Sequence, residues 1–184
     1  MYINLNTGLL DEATQISSPN CDARPDNSPI DLLVIHAISL PSGEYGGPWI
    51  NDLFRNQLDP EAHSDFSEIC ALTVSAHALI RREGEIIQYV PFQQRAWHAG
   101  LSRFQGRERC NDFSIGIELE GCDKQHFEDI QYQQLSQLTK ILMRTYPGIT
   151  HERITGHSDI APGRKTDPGP HFNWDRLRQM LIND

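Results

Sequence analysis

The chain has 184 residues, 38% of them hydrophobic and 22% charged, which suits one soluble domain large enough to bury a core. A formal net charge of −9 and a pI near 5.3 exclude recognition of nucleic acid or an anionic wall polymer by bulk attraction, and leave room only for a local cationic pocket. No window nears the ~18 apolar residues of a membrane span, the opening MYINLNTGLLDEATQ lacks a leader's basic and apolar regions, and Cys21, Cys70, Cys110 and Cys122 are scattered, so a cytoplasmic protein with reduced thiols is expected.

Residues 1–29 are polar and turn-rich (SSPNCDARPDNSP) and read as an irregular arm packed on the domain. DLLVIHAIS, 31–39, is a short apolar run rich in β-branched residues and predicts a buried strand. A Gly/Pro loop follows over 39–50, then a short helix over 48–57 with Pro48 in its first turn. LTVSAHALI, 72–80, and EIIQYVP, 85–91, flank RREG and predict a hairpin turning at Gly84. DFSIGIELEG, 112–121, alternates, with Ile115, Ile117 and Leu119 on one face and Ser114, Gly116, Glu118 and Glu120 on the other. Leu135, Leu138, Ile141, Leu142 and Tyr146 recur at helical spacing within 128–146. A further short strand falls in 151–159, and Asn173 caps a last helix with Trp174, Leu177 and Leu181 inward. With no repeat and no linker, the expectation is a single α/β domain over 1–184, a mixed central sheet flanked by helices.

The stretch GHSDIAPGRKTDPGP, 156–170, holds a His, two Asp, an Arg and a Lys among three Gly and three Pro. No helical or strand period survives that much Gly and Pro. His157 opens it and Asp167 closes it. His36 ends the apolar run LLVI, where strand ends in α/β sheets face a ligand crevice. Two imidazoles and a carboxylate suit Zn2+ with one position left open, although H-x9-D is a weak spacing signal and no Cys is at hand to close a structural site. The other His read as hydrogen-bonded surface or core residues, with His98 on a cleft-lining loop, AWHAG. Glu118 is either a solvated strand residue or a general base beside a metal, with Gly116 on the same face leaving room for a ligand. Lys165 is either a loop-surface lysine or a cation aimed at a forming oxyanion. Arg107 and Arg109 are either surface charges or clamps for a substrate carboxylate.

LLVIHAISLPSGEYGGPWI, VSAHALIRREGEIIQYVPFQQRAWHAG, GRERCNDFSIGIELEG and TGHSDIAPGRKTDPGP together resemble the AmpD-type N-acetyl-anhydromuramyl-L-alanine amidases of bacterial cell-wall recycling, from about residue 20 to 175. They sit in a wider amidase-2 group with phage amidases and peptidoglycan recognition proteins. The resemblance implies an amidase-2 fold and zinc bound by His36, His157 and Asp167. It implies Glu118 as catalytic acid/base, Lys165 as the residue stabilising the transition state, and Arg109 on the diaminopimelate end of the stem peptide. Trp97, His98 and Ala161 would line the groove. The implied reaction is hydrolysis of the amide between 1,6-anhydro-N-acetylmuramic acid and L-alanine in soluble anhydromuropeptides, with an effect on β-lactamase induction. A monomer without nucleic-acid or membrane partners is expected. Where relatives often carry Asn after the first ligand, this chain has Ala37. A non-catalytic peptidoglycan-binding module, a lytic amidase on intact wall, and an unrelated zinc hydrolase are the alternatives.

Overall fold

A computed structural model describes residues 1–182; the last two residues of the expected 1–184 domain lie outside the described residues. Its centre is a six-stranded sheet built from β1 (Thr14–Gln15), β2 (Leu32–Ile38), β3 (Ala78–Ile80), β4 (Ile86–Gln88), β5 (Ser114–Glu120) and β6 (Ile154–Gly156). The spatial order is β6-β2-β5-β3-β4-β1. All neighbours run parallel except the β3–β4 hairpin, so the sheet is mixed as expected.

The hairpin closes where the sequence predicts it. Gly84 takes φ 86, and a side chain there would also collide with Ile130 of the helix below. The first hairpin strand is shorter than the 72–80 run suggests. Ser75 leaves the ladder to exchange hydrogen bonds with Trp97 instead, its N–H donating to the Trp97 carbonyl and its Oγ accepting from the Trp97 N–H.

Four helices complete the fold: α1 (Trp49–Phe54), α2 (Asp129–Thr145), the single turn α3 (His157–Ile160) and α4 (Trp174–Ile182). Helix α2 starts with a capping box, Glu128 with Gln131, and buries Tyr132, Leu135, Leu138 and Leu142. Gln131 is also a bolt: its Nε2 donates to the carbonyls of Ile80 and Glu120 at the ends of β3 and β5. Asn173 caps α4 as predicted, its Oδ1 accepting from Arg176 N at 2.9 Å. Helix α1 is shorter than 48–57, with Pro48 at its N-cap position.

All seven residues of β5 are buried, because one face meets the α2 and α4 core and the other is covered by polar side chains and loops. This overturns the solvated-face alternative for Glu118 and Glu120. Glu120, 1% exposed, pairs with Arg81 at 2.9 Å and accepts Gly46 N at 2.7 Å, tying the 39–50 loop to the sheet.

The arm is less irregular than its composition suggests. Ile3–Asn4 pairs with Leu9–Leu10, β1 joins the central sheet, and Cys21–Asp22 pairs with Arg95–Ala96. Arg24 then drives its guanidinium inward, donating to the carbonyls of Phe92, Asn111, Asp112 and Ser114. Burial brings its pKa down to about 10.

Candidate active site

His36 and Glu118 sit in the C-terminal halves of β2 and β5, and His157 directly follows β6. All three strands are parallel, so their carboxyl ends converge on one crevice. Glu118 and His36 are register partners, which puts their side chains on the same sheet face. Asp167 is returned to this point by the Gly/Pro loop, which closes where Ser158 N donates to the Asp167 carbonyl at 2.9 Å. Gly156 is required at the root of this loop, since a side chain there would press on Pro168.

Three atoms meet in the crevice. His36 Nδ1 and His157 Nδ1 are 3.0 Å apart, and each is 3.1 Å from Asp167 Oδ2. His157 Nε2 faces the Ala99 carbonyl at 3.2 Å, which can only accept, so Nε2 is the donor and Nδ1 is the nitrogen free to offer a lone pair. Burial lowers the His36 pKa to about 4, so that ring is neutral. Three lone-pair atoms this close, in a seat walled by buried residues, could hold a cation between them. A tetrahedral divalent ion about 2.1 Å from its donors sets them roughly 3.4 Å apart, close to the observed triangle. Of the described residues, these three form the one His/Cys/Asp/Glu group able to hold a metal.

Glu118 is 8% exposed, and its Oε2 has no hydrogen-bond partner among the described residues. Burial, reinforced by Asp167 and opposed by Lys165, raises its pKa well above the usual carboxylate value. It lines a cavity of about 240 Å3 with His36, His98, His157, Lys165 and Asp167. One wall is apolar, formed by Leu40, Ile69, Leu72 and Val74.

The remaining predicted residues divide. Ala161 and Arg109 line a separate depression of about 430 Å3 with Leu101 and Arg164. The Arg109 side chain is 72% exposed, lies 3.1 Å from Asp112, and its backbone takes φ 59. Arg107 has a structural post instead, paired with Asp31 at 2.7 Å and lying 3.7 Å over the Phe113 ring. Trp97 is not brought into the lining of either cavity; its backbone exchanges hydrogen bonds with Ser75. Ala37 lines the Glu118 cavity and an adjoining one of about 470 Å3 that also holds Arg164, Lys165 and Lys124. The space beside Gly116 is not open to a ligand: a side chain there would overlap the His98 ring, which occupies it. Sequence reasoning missed Arg164. Its Nη2 donates to the carbonyls of Ala99 and Leu101 at 2.6 and 2.7 Å, strapping the Gly/Pro loop to the 99–101 segment. Its signal was its place beside Lys165 in that loop.

The N-acetylmuramoyl-L-alanine amidase family model, Amidase_2, matches residues 26–170. The 1,6-anhydro-N-acetylmuramyl-L-alanine amidase AmpD of Salmonella typhimurium (strain SL1344) is 60% identical over 174 residues, covering 95% of this chain and 92% of the relative. AmpD of Escherichia coli K12 is 59% identical over 180 residues, covering 98% of each. The crystal structure of a selenomethionine AmpD derivative superposes with a TM-score of 0.95 at 57% identity, covering 98% of this chain and 99% of that one. A complex of E. coli AmiD with anhydro-N-acetylmuramic acid-L-Ala-D-γ-Glu-L-Lys superposes at 0.61 with 34% identity, covering 85% and 60%. The strands, the crevice and these matches agree: the chain belongs to the N-acetylmuramoyl-L-alanine amidase family and is an amidase.

Proposed function

We propose that the substrate is a soluble 1,6-anhydromuropeptide, cut between the lactyl carbonyl of the anhydro-sugar and the amine of L-alanine, and that the metal is zinc. The observation that carries this is the orphaned, buried Glu118 Oε2 beside the triangle of His36 Nδ1, His157 Nδ1 and Asp167 Oδ2. A buried carboxylate with no partner costs on the order of 1–3 kcal/mol, which has a reason if water or substrate completes it. The names of the AmpD relatives support the same substrate.

His36, His157 and Asp167 would hold the zinc, which when bound acidifies a water molecule and polarises a carbonyl. Glu118 takes a proton from the attacking water as its oxygen bonds to the carbonyl carbon. The same carboxyl then delivers that proton to the departing alanine nitrogen as the C–N bond breaks. Lys165, which lines the cavity, would supply the positive charge for the oxygen that gains charge. The free products are the anhydro-sugar acid and the stem peptide. Arg109 and Ala161 form the wall that receives the peptide, with Arg109 the cation for its carboxylate.

The four free thiols fit a reducing compartment, and we assign the enzyme to the cytoplasm as a monomer. No helix among the described residues is long and apolar enough to cross a membrane. The test is mass spectrometry of products from purified anhydromuropeptide with and without a chelator, run beside intact sacculi. Release of anhydro-sugar and peptide that stops with the chelator supports the reading; no cleavage, or preferential digestion of sacculi, rejects it.

A further inference from the structure

His98 lies between the metal seat and the sheet with both ring nitrogens engaged. Its Nδ1 is 2.9 Å from His36 Nε2, and its Nε2 is 3.1 Å from Ser114 Oγ. Proton positions follow from the far end of this chain. Ser114 Oγ is 2.6 Å from the Cys110 carbonyl, an atom that can only accept, so the one hydroxyl proton is spent there. Ser114 therefore accepts from His98, whose proton sits on Nε2. The neutral His98 ring then offers a lone pair at Nδ1, His36 donates to it from Nε2, and His36 Nδ1 is left bare toward His157 and Asp167.

The neighbouring residue does the same for the other ligand. The Ala99 carbonyl accepts from His157 Nε2, and Arg164 holds that carbonyl from its other side. Both residues are pinned by one atom: Asn111 Oδ1 accepts the backbone N–H of His98 at 3.2 Å and of Ala99 at 2.8 Å. Gly116 has no side chain because the His98 ring needs the space.

We propose that His98, held by Ser114 and Asn111, is a positioning residue that fixes the tautomer of His36, so that the metal meets a lone pair rather than a proton. This gives His98 a task other than lining the groove for substrate. Outer partners of this kind are worth about 10- to 100-fold in metal affinity. Asparagine at 98 can keep an acceptor near the Nδ1 position, whereas leucine removes it.

The inference rests on the metal seat described above. Two measurements test it on the full chain. Zinc affinity is measured by competition with a chromophoric chelator for the parent, His98→Leu, His98→Asn and Ser114→Ala. His98→Leu is expected to bind zinc about 10- to 100-fold more weakly, His98→Asn to retain parental affinity, and Ser114→Ala to fall between them. Long-range 15N–1H correlation spectra of histidine-labelled, zinc-loaded parent are expected to place the proton on Nε2 of His36, His98 and His157. They need no variant to fold. If the parent binds zinc and His98→Leu binds it as tightly, or if His98 carries its proton on Nδ1, the positioning role is overturned while the metal reading stands. If the parent binds no zinc, the metal reading falls and this inference with it.

Discussion

Glu118 stands opposite His36 in the parallel register of β5 and β2, so the residue with the unpartnered buried oxygen is the strand neighbour of a metal-seat histidine. The pairing puts the proposed general base and one proposed ligand on rigid elements rather than on loops. Glu118→Gln should retain zinc and lose turnover by roughly 100- to 10,000-fold. Unchanged kcat in a zinc-replete variant would assign the base elsewhere.

The same carboxyl gives a pH prediction. In the unfolded chain it ionises near ~4.3, whereas burial and Asp167 keep it protonated to higher pH in the fold. Between those values the native state binds more protons, so stability falls as pH rises through the window. Metal-free Glu118→Gln should therefore melt above the metal-free parent at pH 8, with the gap closing below pH ~4. A constant gap across that range would assign the effect to packing.

His157 opens the single turn α3, Asp167 closes the segment that follows it, and His36 is on β2, so an ion among them would staple that segment to the sheet. Zinc at 100 times its dissociation constant should stabilise the parent by about 2.7 kcal/mol. Asp167→Ala should lose both the zinc and this rise in Tm. A Tm that still climbs with zinc would remove Asp167 from the seat.

Arg109 is exposed, which lowers the cost expected of its loss below that of a buried ion pair. A charge-assisted hydrogen bond to a peptide carboxylate is worth about 1.5–3 kcal/mol, or roughly 10- to 150-fold in kcat/KM. Arg109→Ala should show that loss on a tripeptide-bearing substrate and little on one carrying L-alanine alone. Equal losses on both would reject the assignment.

Gly116→Ala should displace the His98 ring, because the new methyl would overlap imidazole atoms in a fully buried strand. Overpacking of this kind costs about 1–3 kcal/mol. The checks are Tm and zinc affinity, both of which should fall.

The elements that carry a strong period were legible in the sequence: β2 as an apolar run, β5 as an alternation, and α2 by its helical spacing. The meeting of His36, His157 and Asp167 was legible as chemistry, since a stretch rich in Gly and Pro, with one helical turn in it, still carried His157, Lys165 and Asp167. Other features were not, because they arise from pairings far apart in the chain. A solvated face stayed open for Glu118 because alternation reveals one buried face and says nothing of what covers the other. Gly116 read as open space because no sequence pattern links it to His98. The arm read as irregular because two-residue strands have no period, and the inward turn of Arg24 depends on four carbonyls from distant segments. The work of Asn111 and Ser114 was hidden for the same reason.

Strand β1 has a consequence of its own. It is two residues long, exposed, and lies along β4 at one end of the sheet. There it engages the outward N–H and C=O groups of a strand that would otherwise be a template for another chain. The arm thus acts as a stopper as well as a strap. Cutting the chain back to Ser28 would remove Arg24 from its carbonyls and uncover the Ile86–Gln88 edge, a short run of buried apolar and amide side chains. Such a truncation should yield a protein that keeps its active-site residues yet associates edge to edge with increasing concentration.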